Sequence, residues 1–149
     1  MPLPEFDIYP YVGPLPLRFG TQRRDVPACL GIPARPSRKD DRFGSVRVAY
    51  YDTEEVTEVG FGPREVTLSF LGTRLWDGER IDDPMPLLLK HDSNPLEFYG
   101  FVVFLKIGVT CTGFHDDDPS QRAITVFRRG LWDKHIPKGK QPDLNRYRS

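Results

Sequence analysis

Val46-Arg47-Val48-Ala49-Tyr50-Tyr51-Asp52-Thr53-Glu54-Glu55-Val56-Thr57-Glu58-Val59-Gly60-Phe61-Gly62-Pro63-Arg64-Glu65-Val66-Thr67-Leu68-Ser69-Phe70 is the stretch on which the fold turns. Val46, Val48 and Tyr50 alternate with Arg47, Ala49 and Tyr51. Val56 to Phe61 is a second run, and Val66, Leu68 and Phe70 alternate with Thr67 and Ser69. A period of two sends neighbouring side chains to opposite faces, so each run reads as a strand with one face toward a core. Asp52-Thr53-Glu54-Glu55 supplies the first turn and Gly62-Pro63 the second. Three consecutive strands of a tight antiparallel meander are therefore expected.

Downstream, Asp83 can cap a helix, Pro84 suits its first position, Leu87, Leu88 and Leu89 follow, and Asn94-Pro95 stops it after His91 or Asp92. Phe98 to Thr110 is rich in aromatic and β-branched residues. Within it Phe101-Val102-Val103-Phe104-Leu105 is apolar on both faces and reads as a central strand covered on both sides. Cys111 to Phe114 extends that strand or opens the next, His115 to Ser120 is a turn, and Ala123 to Arg128 is the last clear strand.

Upstream, residues 34–44 lack periodicity and read as a loop. Thr21 to Gly31 reads as a short helix with Val26, Cys29 and Leu30 on its apolar face, ended by Gly31 and Pro33. Pro27 constrains it: a cap at Thr21 forfeits an internal hydrogen bond, and a cap at Asp25 leaves little more than a turn. Residues 1–16 carry Pro2, Pro4, Phe6, Tyr9, Pro10, Tyr11, Pro14 and Pro16, the composition of an extended arm packed on the body.

The order helix, loop, strands occurs twice. Leu75-Trp76-Asp77 and Leu131-Trp132-Asp133 stand 56 positions apart, and Leu68-Ser69-Phe70-Leu71 aligns with Ile124-Thr125-Val126-Phe127. One domain of 149 residues is expected, with an arm over 1–16, half-repeats over 17–77 and 78–133, and a basic tail over 134–149. The two tryptophans then read as buried anchors at equivalent ends of the halves, with exposed interface hot spots as the alternative. The expected fold is α+β: an antiparallel sheet of about seven or eight strands with two short helices on one face.

Arg18-Phe19-Gly20-Thr21, Asp25-Val26 and Leu30-Gly31-Ile32-Pro33 resemble the opening of small helix-plus-sheet modules. Such modules occur in tandem in the β-lactamase inhibitory proteins and singly in the BamE/SmpA lipoproteins. The chain over about residues 17–133 also resembles the small cytoplasmic immunity proteins of bacterial polymorphic and type VI toxin systems. Val48-Ala49-Tyr50-Tyr51-Asp52, Thr125-Val126-Phe127 and Gly130-Leu131-Trp132-Asp133 carry that resemblance. It implies a protein that binds and neutralises a cognate toxin effector domain, as a monomer or small homo-oligomer, with no enzymatic activity of its own.

Composition sets the alternatives. The apolar run Phe101 to Leu105 is too short to span a bilayer, and Met1-Pro2-Leu3-Pro4-Glu5 lacks the regions of a secretory signal, so a cytoplasmic location without membrane contact is expected. Cys29 and Cys111 could pair, but in such a setting two isolated thiols read as buried small hydrophobes. Formal charge is zero yet segregated: residues 18–47 hold eight Arg/Lys against Asp25, Asp40 and Asp41, whereas residues 77–118 hold nine carboxylates against Arg80, Lys90 and Lys106.

His91, His115 and His135 form no metal-spaced pair, so no metal or other cofactor is expected, and His115-Asp116-Asp117-Asp118 reads as a solvated turn. No Gly-x-Ser-x-Gly or phosphate loop is present, and Cys111 beside His115 sits in an apolar context that would raise a thiol pKa. An enzyme would need a site assembled only in space. Nucleic-acid binding through Arg35, Arg38, Lys39 and Arg42 with Phe43 competes with a solvated basic loop, and no nucleic-acid partner is expected. The sequence nominates Asp82, Asp83, Asp116, Asp117 and Asp118 as toxin contacts, an acidic surface suited to a basic cleft.

Overall fold

The computed structural model describes residues 3–98, 100–113 and 122–133. It is α+β, with two short helices, a large antiparallel sheet and a smaller second sheet.

The large sheet has eight strands. They are β3 (Arg35–Pro36), β4 (Asp40–Phe43), β5 (Val46–Ala49), β6 (Glu58–Phe61), β9 (Leu96–Phe98), β10 (Phe101–Phe104), β11 (Val109–Thr112) and β12 (Ala123–Phe127), in the spatial order β3-β4-β5-β6-β12-β11-β10-β9. Each half of this order is an antiparallel meander, and the two meet where the last strand of one pairs with the last strand of the other. The small sheet has β1 (Glu5–Tyr9), β2 (Gly13–Leu15), β7 (Thr67–Phe70) and β8 (Thr73–Trp76), in the order β2-β1-β7-β8 with β1 parallel to β7.

A helix precedes each meander. Residues Arg23–Asp25 form a 3-10 turn that leads into α1 (Val26–Leu30), and Gly31 ends it in the left-handed conformation at φ 71°. Pro27 sits in the first turn, where its missing N–H costs nothing, so the helix begins at the aspartate end of the expected span. The second helix, α2 (Met85–His91), starts after Pro84, and the Asp83 carboxylate accepts the Met85 N–H at 2.9 Å.

Residues on one face of the large sheet oppose one another in register: Val46 with Phe61, Phe61 with Ile124, Ile124 with Cys111, and Cys111 with Val102. They share one buried cluster with Phe6, Ile8, Leu68, Phe70 and Trp76 of the small sheet, Val26 of α1, and Met85 and Leu88 of α2. Both helices and the small sheet therefore cover the same face, hereafter the inner face. Burying each large apolar side chain there contributes about 1.5–3 kcal/mol relative to exposure.

Four sequence expectations change. The run 66–70 does not continue the meander; it leaves the large sheet as β7, and β12 takes the place beside β6. The turn at 62–66, with Glu65 at φ 60°, carries the chain into the second layer, where β1 supplies a parallel partner. The expected loop 34–44 contains the hairpin β3–β4. The expected central strand at 101–105 is β10, one place from the edge, with β9 outside it. Finally, Trp76 ends β8 in the small sheet and is fully buried, whereas Trp132 lies in the turn after β12 and is half-buried, so the two Leu-Trp-Asp triplets occupy different settings.

Candidate functional site

The outer face of the large sheet is read most directly from its register. One residue per strand lines up across all eight strands: Arg35, Arg42, Arg47, Gly60, Thr125, Thr110, Val103 and Leu96. The row passes from three guanidinium groups through hydroxyls to apolar side chains. The neighbouring row runs Asp40, Ala49, Glu58, Phe127.

At the apolar end, Val103 and Phe127 are buried beneath Tyr11, Leu96, Leu105, Leu131 and Trp132. Trp132 stands 6.2 Å from the rings of both Phe101 and Phe127, and the turn after β1 brings Tyr11 edge-on to Phe127 at 6.1 Å. The Tyr11 hydroxyl donates to the Leu105 carbonyl. Phe101 is 40% exposed, which leaves an aromatic ring at the border of this cluster. Arg129 lies over the Tyr11 ring, 4.1 Å from its centroid.

At the basic end a groove of about 560 Å³ is lined by Arg42, Ser45, Arg47, Gly60, Arg64 and Thr125. Arg47 is committed within it: Nε donates to Asp40 Oδ2 at 2.6 Å, Nη1 to Glu58 Oε1 at 3.1 Å, and Nη2 to the Tyr51 hydroxyl at 2.7 Å. Burial pushes the Glu58 carboxyl above its ordinary value, with Arg47 pulling the other way. Hydrogen bonds from Ser37 and then Arg47 hold the Asp40 carboxyl below its ordinary value. Among the described residues Arg42 and Arg64 have no ion pair, and the buried Ser45 Oγ has no hydrogen-bond partner. A smaller hollow of about 310 Å³ adjoins Tyr51, Asp52, Glu58, Leu131 and Trp132.

Of the nominated acidic residues, Asp82 and Asp83 lie away from this face. Asp82 accepts from Arg80 Nε at 2.8 Å, and its backbone carbonyl accepts the Trp76 indole N–H at 3.2 Å. Asp83 holds the start of α2, and burial raises its pKa. Both sit on the connection between β8 and α2, with the small sheet. Asp116, Asp117, Asp118 and His115 lie outside the described residues.

Cys111 is buried on the inner face, and burial, with Asp83 nearby, pushes its thiol pKa strongly up, the opposite of an activated nucleophile. Both thiols are free, but Cys29 is exposed on α1 rather than buried as expected. Among the described residues no group of His, Cys, Asp and Glu is placed to hold a metal ion. Nor is any described helix long and apolar enough to cross a membrane.

Sequence reasoning noticed Arg35 and Arg42 but set them in a loop; pairing on β3 and β4 puts them in line with Arg47. The signal was present in the β5 alternation, where Arg47 is the outward residue between Val46 and Val48. Its carboxylate partners could be found only from the register. Compared with known proteins, the chain matches no family model, no curated protein and no solved structure at a significant level.

Proposed function

We propose that this chain is a cytoplasmic, immunity-type inhibitor that neutralises a cognate bacterial toxin by direct contact, and that the outer face of its large sheet is the docking surface. The observation that carries the docking surface is the uneven cover: both helices and the small sheet occupy the inner face, whereas on the outer face Tyr11, Leu131 and Trp132 cover only the end at Val103 and Phe127. The outer face grades from arginines to aromatics, residue types that dominate protein interfaces. Burial of Cys111 raises its thiol pKa and speaks against its use as a nucleophile. The toxin class comes from the sequence resemblance.

Co-expression with the toxic domain encoded beside the gene tests the reading. The unmodified chain should restore growth and co-purify with that domain. Trp132→Ala should weaken the complex while the melting curve stays cooperative, and Asp82→Asn should leave it intact. Failure of the unmodified chain to restore growth or to form the complex overturns the proposal.

A second reading has one observation behind it. The Arg35, Arg42, Arg47 row is a cationic track, and a nucleic-acid accessory domain would use such a track on phosphates. Retention on an RNA or DNA column that weakens with salt would favour it.

A further inference from the structure

We propose that the arginine row is a carboxylate-recognition site that seats an acidic, extended peptide segment of the partner protein. The inference deepens the protein-binding reading above and rests on it.

Arg35 stands directly opposite Arg42, and Arg42 directly opposite Arg47. Like charges facing each other across an antiparallel pair are destabilising, and here there are two such pairs in succession. Among the described residues Arg47 is paired with Asp40 and Glu58, whereas Arg42 acts on Asp40 through charge alone, without an ion pair. Arg42 is exposed, and Arg64 reaches the same groove from the turn after β6. Two guanidinium groups thus share one groove with no carboxylate in contact with either among the described residues. An arrangement that repels itself when empty is relieved by an anion.

The groove specifies which anion. Guanidinium forks bind planar carboxylates through two parallel hydrogen bonds, and strands about 4.8 Å apart set the row's pitch. Gly60 leaves the floor without a side chain, and Thr125 Oγ1 borders it, 3.4 Å from where a Cβ at Gly60 would stand. A peptide backbone can approach such a floor closely. The Ser45 hydroxyl oxygen is buried at the wall of this groove without a hydrogen-bond partner.

Beyond Thr125 the row closes over, since Thr110 and Val103 are buried, so the open stretch runs from β3 to β12 and fits a short segment. A nucleic-acid strand fits less well. Asp40 and Glu58 hold negative charge one row away, and the cations end after three strands. A continuous phosphate backbone would run onto both carboxylates and apolar surface.

The test is fluorescence anisotropy of the full chain with three labelled probes, at low and at physiological salt. The probes are a short peptide of alternating glutamate and valine, its glutamine-valine analogue, and a single-stranded oligonucleotide. The acidic peptide should bind at least about tenfold more tightly than the analogue. Arg42→Gln with Arg64→Gln should remove about the same factor, whereas Arg74→Gln, on the small sheet and paired with Glu5, should not. Thermal melts confirm that each variant folds.

Equal binding of the two peptides, an unaffected double variant, or an oligonucleotide that binds more tightly than the acidic peptide each overturns the proposal. Failure of the site and failure of the reading separate cleanly. Lost peptide recognition with intact toxin neutralisation removes the site alone. Peptide recognition that follows the predicted pattern with no neutralisation removes the immunity assignment alone.

Discussion

Arg47 donates to Asp40 through Nε and to Glu58 through Nη1, yet the two carboxylates shift in opposite directions. Glu58 is the more buried, and loss of hydration outweighs its ion pair, so its folded pKa is raised. Its contribution to stability is therefore fullest below the unfolded carboxyl range and declines as pH rises through the raised value. Asp40 behaves in the reverse sense: its stabilisation is present above the unfolded value and is lost as pH falls through its lowered pKa. Carboxyl NMR titration should show Glu58 protonating first and Asp40 well after it, and Arg47→Gln should move both pKa values up. Coincident titrations would contradict the geometry.

On the inner face Asp41 plays a structural part. Arg23 grips it through Nη2 at 2.7 Å and Nε at 3.3 Å, and the Tyr50 hydroxyl donates to it at 3.0 Å. Burial, with the hydrogen bond to Asp41 behind it, drives the Tyr50 pKa strongly up. Asp41→Asn should cost about 1–3 kcal/mol by urea denaturation, because it strands a guanidinium that is itself only partly exposed. This residue also explains why β4 was illegible in the sequence. Its inward positions are Asp41 and Phe43, so the alternation that marked β5 is broken by a charge whose partners lie far along the chain.

At the scale of elements, the strands that announced themselves were those whose inward residues are uniformly apolar, β5, β6 and β12. The arm was legible as extended and packed, but its proline content concealed β1 and β2 because their register depends on β7, some 60 residues on. The turn after β1 does more than close a hairpin. It places Tyr11 against Gly108, which holds φ 70° in the turn between β10 and β11. A Cβ at Gly108 would stand 2.9 Å from the Tyr11 ring and 3.1 Å from the Phe127 carbonyl oxygen.

Gly108→Ala should therefore lose about 2 kcal/mol or more, from the left-handed backbone and the overpacking together. Trimming the ring in Tyr11→Leu should fail to rescue it, since the Phe127 contact and the dihedral remain. Chemical denaturation of the two single variants and the double variant measures this. The thiols give an independent check on the same layering. A thiol reagent should modify Cys29 on α1 quickly in the native protein, and Cys111 on β11 only on unfolding.

For the whole molecule, the repeated order of helix and strands was readable, but its boundaries were not. The strand meanders close at Phe61 and Phe127, and between them the chain makes its excursion through β7 and β8 into the small sheet. The Leu-Trp-Asp triplets suggested later endings because composition carries no information about which sheet a strand joins. The candidate site was less legible still, since it exists only where β3, β4, β5, β6 and β12 lie side by side.

That pairing has a thermodynamic consequence. The last described strand, β12, sits in the middle of the large sheet, and its inner residues Ile124 and Val126 belong to the same buried cluster as Phe6 and Phe70 of the small sheet. Neither sheet keeps its core if the other departs, so the two layers should unfold together. Trp132→Phe leaves Trp76, buried in the small sheet, as the single tryptophan reporter. In urea its fluorescence transition should coincide with the loss of far-ultraviolet circular dichroism, which follows both sheets. A Trp76 transition at clearly lower urea would mean that the small sheet detaches first and that the shared core does not couple the layers.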